Sequence, residues 1–136
     1  MGKIIAIDYG LKRIGLAITD ELNIIASSLD TVLNSEIILF LKNILKNESI
    51  DTFVIGKPVQ KDNNPSLIEN DILIFIKKIN KEFPSVKVER QDERFTSLIA
   101  KRTILSSGVN KSKRQNKMLV DKVSATIILQ SFLENK

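Results

Sequence analysis

Four carboxylates stand where this chain could do chemistry. Asp8 ends the run Lys3 to Asp8 (KIIAID), Asp92 and Glu93 lie just past Val86 to Arg90, and Asp121 opens a C-terminal apolar stripe. The sequence contains no His and no Cys. That excludes disulfides, thiol nucleophiles, His-based triads and His/Cys zinc sites. The tools left are carboxylates, Lys, Arg, Tyr, hydroxyls and a hard cation such as Mg2+ or Mn2+ held by Asp and Glu. Two such ions about 3.5 to 4 Å apart could activate a water and stabilise the leaving oxygen of a phosphodiester without a protein base. Each acid also has a structural reading: Asp8 as a turn former, Asp92 as a helix-entry residue, Asp121 as a charge near a helix start, and Asp20 as a hairpin end.

The elements that must position these acids follow from hydrophobic period and breakers. Lys3 to Asp8 reads as a buried strand, and Arg13 to Asp20 (RIGLAITD) alternates large Ile14, Leu16 and Ile18 with small Gly15, Ala17 and Thr19. Ile24 to Val32 returns as a third strand, giving an antiparallel N-terminal meander. Asn34 and Ser35 are helix-cap types, followed by Ile37, Ile38, Leu41, Ile44 and Leu45 at helical spacing to about Asn47. Thr52 to Ile55 is a strand stopped at Gly56-Lys57-Pro58. Ser66 can cap a helix with the stripe Ile68, Ile72, Phe75, Ile76 and Ile79, ending near Glu82 before Phe83-Pro84. Val86 to Arg90 is the last strand, Thr96 to about Ser107 a helix, and Met118 to Leu133 another, its stripe drawn from Val120, Val123, Ile127 and Leu133. Two strand-helix-strand units in series imply parallel strands near Ile5, Val54 and Val88. The fold class is therefore α/β: a mixed five-stranded sheet, three antiparallel N-terminal strands plus two parallel ones, flanked by about four helices in a single domain, 1–136.

If the first and last strands are parallel neighbours, Asp8, Asp92 and Glu93 emerge at one carboxyl edge, where open α/β sheets place ligands. Residues three and four beyond Asp121 are Ser124 and Ala125, so Asp121 lies on a helix face thin enough to approach the sheet closely.

Net charge is +5, unevenly spread: residues 1–68 hold 7 basic and 8 acidic side chains, residues 69–136 hold 14 and 8. Lys111, Lys113, Arg114 and Lys117 fall within a loop read over Gly108 to Met118 that contains no acid. Such a loop suits phosphate contacts, or is a solvated Lys-rich surface. Arg13 could contact a phosphate or pair with Asp8 or Asp20, and Arg94 beside Glu93 has the same two readings. Gly10, Gly15 and the Gly56-Lys57-Pro58 turn match no dinucleotide or Walker pattern. One Tyr and no Trp offer no stacking platform for single strands. No apolar run approaches the roughly 18 to 20 residues of a membrane span, so a soluble cytoplasmic protein is expected.

Taken in order, Ile7-Asp8-Tyr9-Gly10, Arg13-Ile14-Gly15-Leu16-Ala17 to Asp20, Gly56-Lys57-Pro58, Asp92-Glu93-Arg94-Phe95-Thr96-Ser97, Val120-Asp121-Lys122-Val123-Ser124-Ala125 and Ile128-Leu129-Gln130 resemble the YqgF (RuvX) family over essentially the whole chain. The resemblance implies an RNase H-like fold and a cytoplasmic, metal-dependent nuclease for 5'-end maturation of pre-16S rRNA, with Holliday-junction resolution as an older assignment. It implies Asp8, Glu93 and Asp121 as catalytic and Mg2+- or Mn2+-binding acids, with Asp92 beside them. Structured RNA, branched DNA and ribosomal precursor particles are the implied partners, and the chain would act as a monomer or dimer. Val59 to Asn64 lacks the family's usual Gly, Lys57 replaces a usually apolar residue, and Ser97 and Ser124 replace the more usual Thr and Ala. A non-catalytic nucleic-acid-binding factor on the same fold is the alternative of a different class. An actin-like or sugar-kinase ATP site is disfavoured because one small domain offers no second lobe.

Overall fold

In the computed structural model the described residues are 2–58, 68–92 and 113–134, the last helix with its side chains from Ser124 onward. The elements are β1 (Lys3–Asp8), β2 (Arg13–Thr19), β3 (Ala26–Leu33), a 3-10 turn (Asn34–Glu36), α1 (Ile37–Asn47), β4 (Ile50–Lys57), α2 (Glu69–Glu82), β5 (Lys87–Asp92) and α3 (Lys113–Glu134). The five strands form one sheet in the order β3-β2-β1-β4-β5. β1 runs antiparallel to β2, β2 antiparallel to β3, and β4 is parallel to both β1 and β5. This is the expected mixed sheet, with β4 rather than β5 as the parallel neighbour of β1. The described helices number three; the expected helix from Thr96 to Ser107 lies outside the described residues.

Strand alternation divides the core into two layers. Ile5, Ile7, Leu16, Phe53 and Ile55 face Leu41 of α1 and Ile72, Phe75 and Ile79 of α2. Ile4, Ala6, Ala17 and Val54 face Ala125, Ile128 and Leu129 of α3. The second layer is thin on both sides, so α3 packs close to β1, β2 and β3. The buried line of α3 is Ser124, Ala125, Ile128 and Leu129. The stripe expected from Val120, Val123, Ile127 and Leu133 is thus rotated: Ile127 and Leu133 are only half-buried. The sheet face offered by Ala6, Gly15 and Ala17 has no room for a bulky ridge, and the helix turns its small residues toward it.

Two local expectations need correction, and a third holds. Asn34 and Ser35 do not cap α1 with their side chains. Asn34 instead closes the β1–β2 turn, its backbone N–H donating to the Lys12 carbonyl (2.9 Å) and its amide Nδ2 to the Gly10 carbonyl (2.8 Å). α3 is already helical at Lys113, five residues before the expected start at Met118, so Lys113, Arg114 and Lys117 belong to a helix and not to a loop. Asp20 is the hairpin-end residue expected of it, remote from Asp8. Its carboxylate accepts from the N–H groups of Ile24 (2.7 Å) and Ile25 (3.0 Å), folding the β2–β3 turn.

That turn is braced further. Asn23 takes a left-handed φ of 57°, a conformation Asn tolerates. Its Nδ2 donates to the Gly2 carbonyl (3.1 Å), and its Oδ1 accepts from the Thr19 hydroxyl (2.6 Å), which in turn accepts from the Ile4 N–H (2.9 Å). The amino edge of β1 is locked in this way, which leaves the carboxyl edge as the open one.

Candidate active site at the carboxyl edge of the sheet

Asp8 is half-buried at the last position of β1. It pairs with Gly15 of β2, and Ile7 pairs with Ile55 of β4, so the next β4 residue beside Asp8 is Gly56. Ala6, Ala17 and Val54 belong to the α3-facing layer. By two-residue alternation Asp8, Gly15 and Gly56 share that face. Asp8 is therefore flanked on both neighbouring strands by residues without side chains, an arrangement that leaves space for a ligand beside its carboxylate.

Arg13 opens β2 on the same face, two residues beyond Gly15. Its Nε is enclosed with no hydrogen-bond partner among the described residues, as is the Thr31 hydroxyl on β3, opposite Gly15. A pairing of Arg13 with Asp20 is excluded, since they sit at opposite ends of β2, about 23 Å apart at strand rise. Gly10 shapes this corner, because a Cβ there would collide with the Arg13 carbonyl.

Asp92 is the exposed last residue of β5, paired in register with Lys57. It is two strands from Asp8, about 10 Å across the sheet. Val88 packs in the α1/α2 layer and Arg90 reaches α2. Continued alternation puts Asp92 on that layer's side, opposite to the side of Asp8. Glu93, Arg94 and Lys111 lie outside the described residues. Positions 113, 114, 117 and 121 are in α3, and 121 falls one turn before Ala125 on the sheet-facing line. Among the described residues no group of three acids gathers. Asp8, the described carboxylate on this face, is a hard oxygen donor of the kind that suits Mg2+ or Mn2+.

One pair here escapes sequence reasoning. Arg90 donates from Nε to the Ile55 carbonyl (3.2 Å), from Nη2 to the Gly56 carbonyl (3.0 Å), and through Nη1 and Nη2 to the two carboxylate oxygens of Glu69 (3.1 and 2.9 Å). The Glu69 side chain is only 11% exposed and that of Arg90 24%. A signal existed: Arg90 is two residues from Val88 in a strand, and Glu69 three before Ile72 in a helix, so opposite charges occupy two core-facing positions.

Comparison with known proteins gives the same picture. A protein of Bacteroides fragilis is 48% identical over 136 residues, covering 100% of this chain and 99% of its own, and bears the name "Putative pre-16S rRNA nuclease". One of Christiangramia forsetii, with the same name, is 48% identical over 133 residues, 98% of each chain. Among solved structures, T. thermophilus RuvC in complex with a Holliday junction substrate aligns with a TM-score of 0.52, covering 96% of both chains at 11% identity, which is a likeness of fold. The family model described as "RuvX: Holliday junction resolvase" matches residues 2–135. With its sheet order, its acid at the end of β1 and relatives of full-length match, the chain belongs to the RuvX family.

Proposed function

We propose that the protein is a metal-dependent endonuclease, a hydrolase of phosphodiester bonds, that acts on structured RNA in 5'-end maturation of pre-16S rRNA. The observation that carries this reading is Asp8, half-buried at the carboxyl edge between two glycine-bearing strands, on the face toward which the line of position 121 runs. Asp8, Glu93 and Asp121 would hold the cation. Alternation along β5 puts Asp92 on the α2 side, away from Asp8, so Asp92 is the weaker candidate to work with it. Bound Mg2+ or Mn2+ supplies an activated water and neutralises charge on the leaving oxygen.

The remaining work falls to this chain's own residues. Arg13, on the face of Asp8 with a buried Nε unmatched among the described residues, is suited to a phosphate oxygen, since a donor left unpaired in a folded interior is uncommon. Arg94 would add a second cation beside Glu93. Lys111, Lys113, Arg114 and Lys117 would guide the backbone toward the edge. Position 117 is four beyond 113 and three beyond 114, so the three fall on one side of α3, and no acid lies in its first turn. Relatives named for pre-16S rRNA support RNA in a precursor particle as the substrate, and a cytoplasmic site of action goes with it. The family description and the fold likeness to RuvC favour branched DNA as the second reading.

The test is cleavage of a structured precursor-rRNA fragment and a four-way DNA junction, each with Mn2+, Mg2+ or EDTA, by wild type and Asp8→Asn. Metal-dependent cutting lost in the variant is expected, with RNA preferred. A preference for the junction selects the second reading. Equal binding by both proteins without any cutting rejects the nuclease in favour of a non-catalytic binding factor.

A further inference from the structure

The end of β4 lies beside Asp8, yet its last core-facing residue is Ile55, followed by Gly56, which has no side chain to anchor it. Beyond the sheet pairing, which runs to Ile55 with β1 and to Lys57 with β5, the side chain that ties that end is Arg90, reaching across from β5 to the Ile55 and Gly56 carbonyls. The guanidinium is itself oriented by the two-pronged contact with Glu69, in the first turn of α2. One fork thus fixes three things together: the end of β4, the end of β5 and the start of α2.

We propose that Arg90 and Glu69 are positioning residues that hold the end of β4 against Asp8 and so set how tightly the acid site binds its divalent cation. The inference rests on the metal-dependent nuclease reading and adds to it two residues that touch neither substrate nor ion. Stability alone is a poor account of the pair. Two charges withdrawn from water gain little over apolar residues of similar size, whereas a planar fork with five fixed donors imposes geometry. A strand end free to shift by a fraction of an ångström carries Gly56 toward or away from Asp8, and metal sites are sensitive to the contacts that orient their ligands.

The experiment is Mn2+ titration followed by electron paramagnetic resonance on wild type, Arg90→Lys, the double variant Glu69→Met/Arg90→Met, and Asp8→Asn, with melting temperature and RNA cleavage measured on the same proteins. Arg90→Lys keeps the charge and loses the fork; the double variant removes both charges and leaves neither unpaired. Both are expected to weaken Mn2+ binding about tenfold, within the range seen when outer contacts of metal ligands are lost. Cleavage should fall at low Mn2+ and recover at high Mn2+, with KM for RNA changed less than twofold. Wild-type Mn2+ affinity in the folded double variant, or a change in KM for RNA in place of metal affinity, overturns the positioning role alone. Should the double variant fail to fold, Arg90→Lys decides by the same readings. No Mn2+ binding by wild type overturns the acid site and the pair's role with it.

Discussion

Thr31 and Arg90 show two opposite ways of burying a polar group, and each makes a prediction. The Thr31 hydroxyl is enclosed without a partner among the described residues, so it carries its desolvation cost, about 1 to 3 kcal/mol for such groups, with no bond from them in return. Thr31→Val keeps the shape and removes the oxygen. It should leave stability unchanged or raise it by up to about 1 kcal/mol in urea unfolding; a loss of that size would mean the hydroxyl is satisfied in solution. All three guanidinium nitrogens of Arg90 donate to an acceptor, and Arg90→Met would leave the Glu69 carboxylate nearly buried and alone. Removing one partner of a buried pair costs about 3 to 5 kcal/mol, and the quarter exposure of Arg90 argues for the lower end. The double variant Glu69→Met/Arg90→Met should regain most of that loss in the same denaturant titration. Additive losses would show that the two side chains do not act on each other. The contrast also explains what the sequence could and could not tell. Asp8 is visible because an acid ending a β-branched run is conspicuous, whereas the spacing of Glu69 and Arg90, 21 residues apart, marks each as a core-facing charge without naming its partner until β5 and α2 are brought together.

At the scale of elements, the strands were legible and the junctions were not. β1, β2 and β4 are read from β-branched runs whose period is enforced by burial, and α1 and α2 end where expected, at Asn47 and Glu82. The errors lie where polar side chains choose between local partners: Asn34 ties a turn when it could have capped a helix, and α3 starts before its apolar pattern does. The β2–β3 turn is the clearest such case. Its Asp20 carboxyl is held below the usual carboxylate range, chiefly by the Ile25 N–H and then by the Ile24 N–H, both donating to the charged form. A depressed folded-state value means the stabilisation is fully present above the unfolded value, near 3.9, and is lost as pH falls through the folded one. Asp20→Asn should therefore flatten the decline of melting temperature below about pH 4 and change little at pH 7, where an amide oxygen can still accept both bonds. A decline as steep as wild type would assign the acid sensitivity to other carboxylates.

On the scale of the whole molecule, charge is sorted along the strand direction. The amino edge carries Asp20, Glu21, Glu48 and Asp51 against Lys3, drawn to Glu48 at 2.6 Å, and Lys87; the carboxyl edge carries Lys12, Arg13 and Lys57 against Asp8 and Asp92. A polyanion approaching this field is turned so that its backbone meets the carboxyl edge, and the attraction weakens as salt screens it. Each phosphate neutralised by a Lys or Arg releases condensed counterions, giving a slope of log affinity against log salt of about −0.7 to −0.9 per contact. Lys113→Ala should thus weaken RNA binding and make that slope shallower by about one unit or less. Lys42→Ala is the matched control: its ammonium lies on α1, already 3.2 Å from the Glu82 carboxylate of α2, and should leave the slope as it is. Titrations of both variants between low and moderate salt separate a directed field from net charge. Equal shifts in the two would show that binding follows the overall +5 and not the start of α3.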